Sequence, residues 1–411
     1  MIASWTTDMW SPIINLFSFI PSYGFMIIVF TICLKIILSP LDFWQKKVSR
    51  ASMVKQQKLQ PELEKIKKRY GNNQQLVNQK TMELYKRENY NVIGSCLSMI
   101  LNLALTLFIF FTLFTGLIGI SQDRTYNQYI EVQNAYYETF NTEMRETYSL
   151  TAQENNTDVT AKLNELIDAK KSVAKEKLIE AGTVEPDEAS ILTKARELLY
   201  AETEGEFFTI VTNAQNSASE KYEEIKDNWL WVKNIWRPDT YVSGYPNFDD
   251  FSNMTNLKTR LTEDQTQYNQ IEQNFNIITA KIQQNYSSWN GYFILVLLAG
   301  VVTYFSMIIS QMISSKKSPK MNVNGPLQQG NGRKETNQAQ QMNGATKIMK
   351  IVMPIIMIVF TLSYSATFAM YIVTNSLMSL IISFISLKLL EKLDKNKAEK
   401  NNQKKKVEYS R

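Results

Sequence analysis

A lysine sits in the middle of the apolar stretch FTICLKIILSPL, residues 30–41, which belongs to a longer run from Pro21 to Leu41. If that run crosses a bilayer, its ammonium costs about 2.5–3.5 kcal/mol to insert. Thr31, Lys35 and Ser39 recur at i, i+4 and i+8, so they share one face of a helix. Such a stripe does not suit bond-making chemistry. It suits solvation: an ammonium attracts carboxylates, and hydroxyls replace water around a polar segment. A plainer reading lets the lysine stem snorkel toward the cytoplasm, about 9 Å away. Against that reading, other apolar segments carry stripes of their own: Ser98, Asn102 and Thr106; Thr303, Ser306, Ser310 and Ser314; Tyr371, Asn375, Ser379 and Ser383. Hydroxyl stripes alone also serve helix packing in lipid. The five apolar segments hold no Asp or Glu to pair with Lys35. Water or a visiting carboxylate must then compensate its charge, and the stripes together describe a wet groove open to the cytoplasm.

Composition removes several other chemistries. The 411 residues include no histidine and two cysteines, Cys33 and Cys96, so neither a His-based nucleophile nor a zinc, haem or iron–sulfur site is expected. No GxxxxGK[ST] loop is present to cradle nucleotide phosphates. The expectation is a protein that is not an enzyme and uses no cofactor.

The elements that must carry the stripes are membrane helices. Five spans of about 20 residues are predicted: 23–41, 93–118, 291–313, 348–363 and 367–390. The expected class is an all-α integral membrane protein. Its organisation is an N-terminal interfacial helix (1–22), the first two spans with a cytoplasmic helical hairpin between them (23–118, hairpin 42–92), an extracytoplasmic helical region (119–290), the third span (291–313), a disordered basic loop (314–347), the last two spans (348–390) and a basic tail (391–411). Trp5, Trp10, Ile14, Phe17 and Ile20 supply the apolar side of the first helix, whose alternative is a disordered stub. That start has no basic region and no lipid-attachment cysteine, so it does not read as an ordinary signal peptide.

Charge sets the orientation. Residues 42–92 hold 12 basic and 5 acidic residues, residues 314–350 hold 7 and 1, and the chain from Lys388 holds 9 and 4. Residues 119–290 hold 16 basic and 28 acidic residues. Basic loops stay in the cytoplasm, which puts the N-terminus outside and the C-terminus inside.

The loops carry further signals. Leu59, Leu63, Ile66 and Tyr70 form a narrow helical seam, and Gly71-Asn72-Asn73 turns the chain. The basic residues of this hairpin fit anionic lipid heads or, alternatively, a nascent chain or partner. Trp229, Trp231 and Trp236 fit either the outer membrane–water interface or the core of a small helical domain. The tail is expected to be a flexible basic arm for anionic lipid or RNA, with no base-reading motif and so no sequence-specific nucleic acid. Met349, Met353 and Met357 share a face of the fourth span. They read either as ordinary packing or as an adaptable slide for varied substrate helices.

Together these segments resemble a known family. YGFMIIVFTICLKIILSPLDFWQKKVSRASMVKQQKLQPELEKIKKRYGNN resembles the first span and hairpin of YidC-type membrane protein insertases, relatives of the mitochondrial Oxa and chloroplast Albino proteins. NVIGSCLSMILNLALTLFIFFTLF, KIMKIVMPIIMIVF and MYIVTNSLMSLIIS resemble the second and the last two spans. The enlarged outer region resembles that of some Firmicute, Gram-positive members. The resemblance implies that Lys35 stands where a groove arginine is usual, and Asn102 where glutamine is usual. It also matches Tyr371 and the polar pair Thr374 and Asn375. Val92 and Ala104 replace common prolines, and Ile372 a common aromatic.

The expected function is that of a membrane insertase and folding chaperone of the bacterial cytoplasmic membrane. Its substrate groove is Lys35, Thr31, Ser39, Asn102, Thr106, Tyr371, Thr374 and Asn375. Its partners are nascent membrane proteins and the lipid bilayer, with ribosome, signal-recognition and Sec components implied by the resemblance. Two rival readings use the same residues. One is a small-molecule or anion transporter with Lys35 as binding charge, which lacks the internal repeats usual for transporters. The other is a membrane scaffold or assembly chaperone without insertion activity.

Overall fold

In the computed structural model the described residues are 2–88, 92–183, 185–239, 244–316, 352 and 354–409. They contain helices and no strand, apart from one isolated bridge between Trp229 and Val232. The chain divides into two compact units: residues 1–119 with 293–411, and residues 120–292.

The first unit holds the apolar helices. Helix α1 is Ile2–Asn15, α2 is Tyr23–Tyr70 and α3 is Gln74–Arg87. Helix α4 is Val92–Tyr148, of which residues up to Gly119 belong to this unit. Helix α2 runs unbroken through Pro40 and Pro61. Each proline deletes one backbone hydrogen bond, and the helical conformation continues on both sides of it. The first span and the hairpin's first arm are therefore one helix, about 72 Å long. It stops at Gly71, and Asn73 caps α3 by accepting from the Leu76 amide at 3.1 Å. Leu59, Val77 and Leu84 are buried between the two arms, and Arg87 of α3 pairs with Glu62 of α2. The apolar seam closes the hairpin while its charges face outward.

Helix α1 packs on its neighbours rather than standing alone. Trp10 and Ile14 are buried, and Trp10 meets the Phe30 ring edge-on at 6.0 Å. Gly119 on α4 permits this approach, because a Cβ there would overlap the Thr7 side chain.

Among the described residues three helices are long and apolar enough to cross a membrane: Tyr23–Val48 of α2, α4 from Leu107, and α14 from Ala366. Two shorter apolar helices accompany them, Ile294–Ile309 within α12 (Ile294–Lys316) and α13 (Pro354–Ser363). Helix α12 packs against α14, and α14 against α2. Only Tyr364 and Ser365 separate α13 from α14. An aromatic cluster joins α13 and α14 to α4: Phe114 lies 4.7 Å from Tyr364 and 4.8 Å from Phe368. Large apolar side chains point outward on these helices, among them Ile37, Phe108, Leu297, Val359 and Ile385. An apolar exterior of this kind suits lipid.

Two expectations change. Helix α14 continues to Tyr409, so the basic tail is helical and not a flexible arm. Its Lys, Glu and Gln residues favour helix, and no Gly or Pro interrupts them. Likewise α4 does not end with the second span but runs on to Tyr148. The basic loop expected at 314–347 lies outside the described residues after Lys316.

The second unit is a helical domain. It is built from the later part of α4, α5 (Thr157–Asp168), α6 (Lys171–Glu180), α7 (Glu188–Tyr200), α8 (Glu206–Ile225), α9 (Phe248–Thr255), α10 (Leu257–Arg260) and α11 (Gln265–Asn285). One core gathers Val132, Tyr136, Phe140, Ala214, Ala218 and Ile278; a second gathers Tyr129, Phe251, Leu257 and Phe275. Trp236 is buried here and donates through its indole N–H to Asp227, so the core reading holds for that tryptophan. Burial pushes the Asp227 carboxyl up, partly offset by that hydrogen bond. Trp229 and Trp231 are only partly covered.

Candidate functional site

The polar stripe of α2 is longer than its pattern between Pro21 and Leu41 suggests. Beyond Thr31, Lys35 and Ser39 come Asp42 and Lys46, all within Tyr23–Val48. At 100° per residue, Asp42 and Lys46 each fall within about 20° of Lys35. Five polar side chains thus share one face of an otherwise apolar helix. Asp42 is near enough to act electrostatically on both lysines. The five expected spans hold no Asp or Glu, but Asp42 follows one residue beyond the expected end of the first span and lies on the Lys35 face of the same helix. The two ammoniums are about 16 Å apart along the axis.

The members of this stripe differ in what they offer. Thr31 is fully buried, and its hydroxyl donates to the Ile27 carbonyl at 2.6 Å. Ser39 donates to the Ile36 carbonyl at 2.8 Å. Both hydroxyls are therefore occupied by their own helix. Lys35 is half-buried, and among the described residues its ammonium has no hydrogen-bond or ion-pair partner. Lys46 crosses to α14 and donates to the Ser383 hydroxyl at 2.8 Å. It ties the two helices through a contact that pattern reading missed. The signal was present, because the spacing 35-39-42-46 continues the helical period past Leu41.

On α14, Tyr371 is buried with its ring 6.3 Å from that of Phe368, while Thr374 and Asn375 are half-buried. Ser379 donates to the Asn375 carbonyl at 2.7 Å, and Ser383 to the Ser379 carbonyl at 2.6 Å. Among the described residues Lys35 makes no hydrogen bond to Tyr371, Thr374 or Asn375. The hydroxyls of α12 have a packing role. Thr303 and Ser376 hydroxyls lie 3.2 Å apart, and Ser306 donates to the Ser376 carbonyl at 3.1 Å. Asn102 and Thr106 are on α4, with side chains outside the described residues. Met349 and Met353 also lie outside the described residues, and Met357 is half-buried on α13.

The stripe falls within a recognisable segment. The sequence model of the family described as 60Kd inner membrane protein matches residues 15–156, which hold α2, α3 and the whole of α4. Over these residues the chain is similar to that family. A membrane protein insertase YidC of Fusobacterium nucleatum is 44% identical over 100 residues, covering 24% of this chain and 47% of the relative. The protein of that name from Clostridium tetani is 38% identical over 102 residues, covering 24% of this chain and 44% of the relative. The Leptospira interrogans protein is 42% identical over 97 residues, covering 24% of this chain and 14% of its own length. The chain thus spans about half or less of the length of the relatives it matches.

Proposed function

We propose that the protein is a bacterial membrane protein insertase of the cytoplasmic membrane. The observation that carries the proposal is Lys35, half-buried on the one polar face of an apolar helix in the segment shared with YidC-type relatives. The chain crosses the membrane five times, N-terminus outside and C-terminus inside, consistent with the charge of its loops. A substrate's polar extracellular segment enters from the cytoplasm along the α2 stripe. Lys46 and then Lys35 attract its carboxylates, in competition with Asp42. Asn102, Thr106, Tyr371, Thr374 and Asn375 complete the groove, and Met349, Met353 and Met357 receive the apolar helix as it leaves for lipid. The polar segment then crosses a thinner apolar barrier than bare bilayer presents. The driving force is burial of the substrate's apolar helix in lipid, with the membrane potential assisting acidic segments. Ribosome, signal-recognition and Sec components are partners on this reading. No bond is made or broken.

The test uses the purified full chain in liposomes and a single-span client with an acidic outer segment, scored by protease protection of that segment. Lys35→Arg is expected to retain insertion, because the charge survives although the ammonium's geometry changes. Lys35→Ala is expected to lose most of it. Full insertion of every acidic client by Lys35→Ala overturns the charge role.

A further inference from the structure

One surface in residues 120–292 is unexplained by the insertase reading. Between Trp229 and Val232 the backbone closes a two-residue turn, with the Trp229 amide donating to the Val232 carbonyl at 3.0 Å and the return bond at 2.9 Å. The tip residues are Leu230 and Trp231. Leu230 is 72% exposed and has φ of +51°. That left-handed conformation favours Gly, Asn or Asp, and a leucine there is unfavourable. A large apolar side chain in water at a strained position is doubly costly, which marks a surface with a partner. The Trp229 and Trp231 rings flank it, 6.3 Å apart.

The tip is held rigidly. Val232, Ile235 and Trp236 are buried beneath it. The Lys233 amide donates to the Asn290 carbonyl, and the Asn234 amide to the Asn290 side chain, both at 2.8 Å. The Asn290 side-chain amide donates in turn to the Asn234 and Pro238 carbonyls at 2.8 and 2.9 Å. Asn290 is only four residues before Ile294, where apolar α12 begins. The segment between includes Tyr292, 56% exposed, whose ring meets Trp289 at 5.6 Å. Chain length alone therefore tethers the tip near the point where the chain becomes a membrane helix.

We propose that the Trp229–Leu230–Trp231 tip inserts into the lipid interface of the membrane. The composition favours lipid over a protein partner. A tryptophan prefers the headgroup level, where its ring is apolar and its N–H is wet, and half-covered Trp229 suits that level; the Trp231 indole N–H is buried in the protein. Leu230 reaches below it, and Lys233, beside the turn, faces the phosphates. Lys233 also donates to Ser288 at 2.6 Å, which keeps its ammonium with the tip. The inserted tip anchors the outer region to the bilayer.

The test places a nitroxide at Leu230→Cys in the full chain carrying Cys33→Ser and Cys96→Ser, in phosphatidylcholine–phosphatidylglycerol vesicles. Collision with oxygen, which concentrates in lipid, is compared with collision with a water-soluble nickel chelate. The oxygen-to-nickel ratio is expected to be several-fold higher than for a label at Ile179→Cys, an exposed position on α6. Equal ratios overturn the proposal. A second readout leaves Leu230 in place: lipids brominated near the headgroup should quench the fluorescence of the unaltered chain more than that of Trp229→Phe with Trp231→Phe. Unchanged quenching overturns it equally. Neither readout depends on insertion activity, so failure here and failure of the insertase reading are separable.

Discussion

Both units let hydroxyls bond their own helix, as Thr255 and Thr279 of the outer unit do to the Phe251 and Phe275 carbonyls, but the outer unit adds a second device. In the membrane unit most hydroxyls bond the helix that carries them: Thr31 to Ile27, Thr361 to Met357, Ser379 to Asn375 and Ser383 to Ser379. In the outer unit polar side chains join segments far apart in the chain. Asn234 donates to Gln128 at 2.9 Å and to the Tyr222 hydroxyl at 3.1 Å. Ser121 donates to the Trp236 carbonyl at 2.7 Å, and Gln215 to the Ile277 carbonyl at 2.9 Å. Lipid supplies no alternative partner, so a hydroxyl in a span does best with the carbonyl already beside it. A water-facing domain can sustain a network, and the network then fixes its loops.

Asn290→Ala should break this contrast most visibly. Asn290 is 3% exposed and serves Asn234, Pro238 and the Lys233 amide at once. Its side chain's removal leaves the buried Asn234 amide and carbonyls without partners, at a cost of roughly 2–4 kcal/mol. Hydrogen exchange of the full chain in detergent should show residues 228–238 opening much faster, with the membrane helices unchanged. Unaltered protection at 228–238 means the network is ornamental and apolar burial of Ile235 and Trp236 holds the segment.

The same contrast explains what was legible in the sequence. Runs near 20 residues, charge asymmetry and i, i+4 stripes are local patterns, and they located the apolar helices, the hairpin turn at Gly71 and Lys35. The Lys46–Ser383 contact joins residues 337 positions apart, so no window of sequence contains it. Cutting the first span at Leu41 also hid Asp42, although its spacing fits the stripe. The outer unit was legible only as amphipathic helices. Its fold rests on pairings such as Phe275 with Tyr129 and Phe251, at ring distances of 5.1 and 4.8 Å, which periodicity does not specify. Similarly, equal composition left three tryptophans open to two readings. Burial separates them, because Trp236 lies in the core while Trp229 and Trp231 are half-covered on either side of exposed Leu230.

Ser383→Ala sharpens the comparison at one of its exceptions, beside the Thr303 and Ser306 contacts with Ser376. Lys46–Ser383 is a tie between helices in a unit whose hydroxyls mostly serve themselves. Its loss should destabilise the α2–α14 contact by about 1 kcal/mol, read as a lower unfolding midpoint of the full chain in detergent. The released Lys46 ammonium should then capture acidic client segments more readily, raising early crosslinking of clients to position 46. Lower crosslinking would show instead that Ser383 holds Lys46 in its working position.

Thr31→Val carries the smallest expected effect and is the sharpest of the three. The Thr31 side chain is fully buried, and its hydroxyl is occupied by the Ile27 carbonyl at 2.6 Å. That carbonyl is also positioned to accept from the helix backbone, so it keeps a partner when the hydroxyl goes. Valine preserves the branched shape, so no cavity forms. The change in stability should be within about 0.5 kcal/mol. If the hydroxyl stays with its own helix during insertion, protease protection of an acidic client should also be unchanged, whereas Lys35→Ala is expected to lose most of it. A loss of insertion at unchanged stability gives the opposite answer: the hydroxyl leaves Ile27 to meet the client, and a self-satisfied stripe is a reserve of hydrogen bonds that opens when a polar segment arrives.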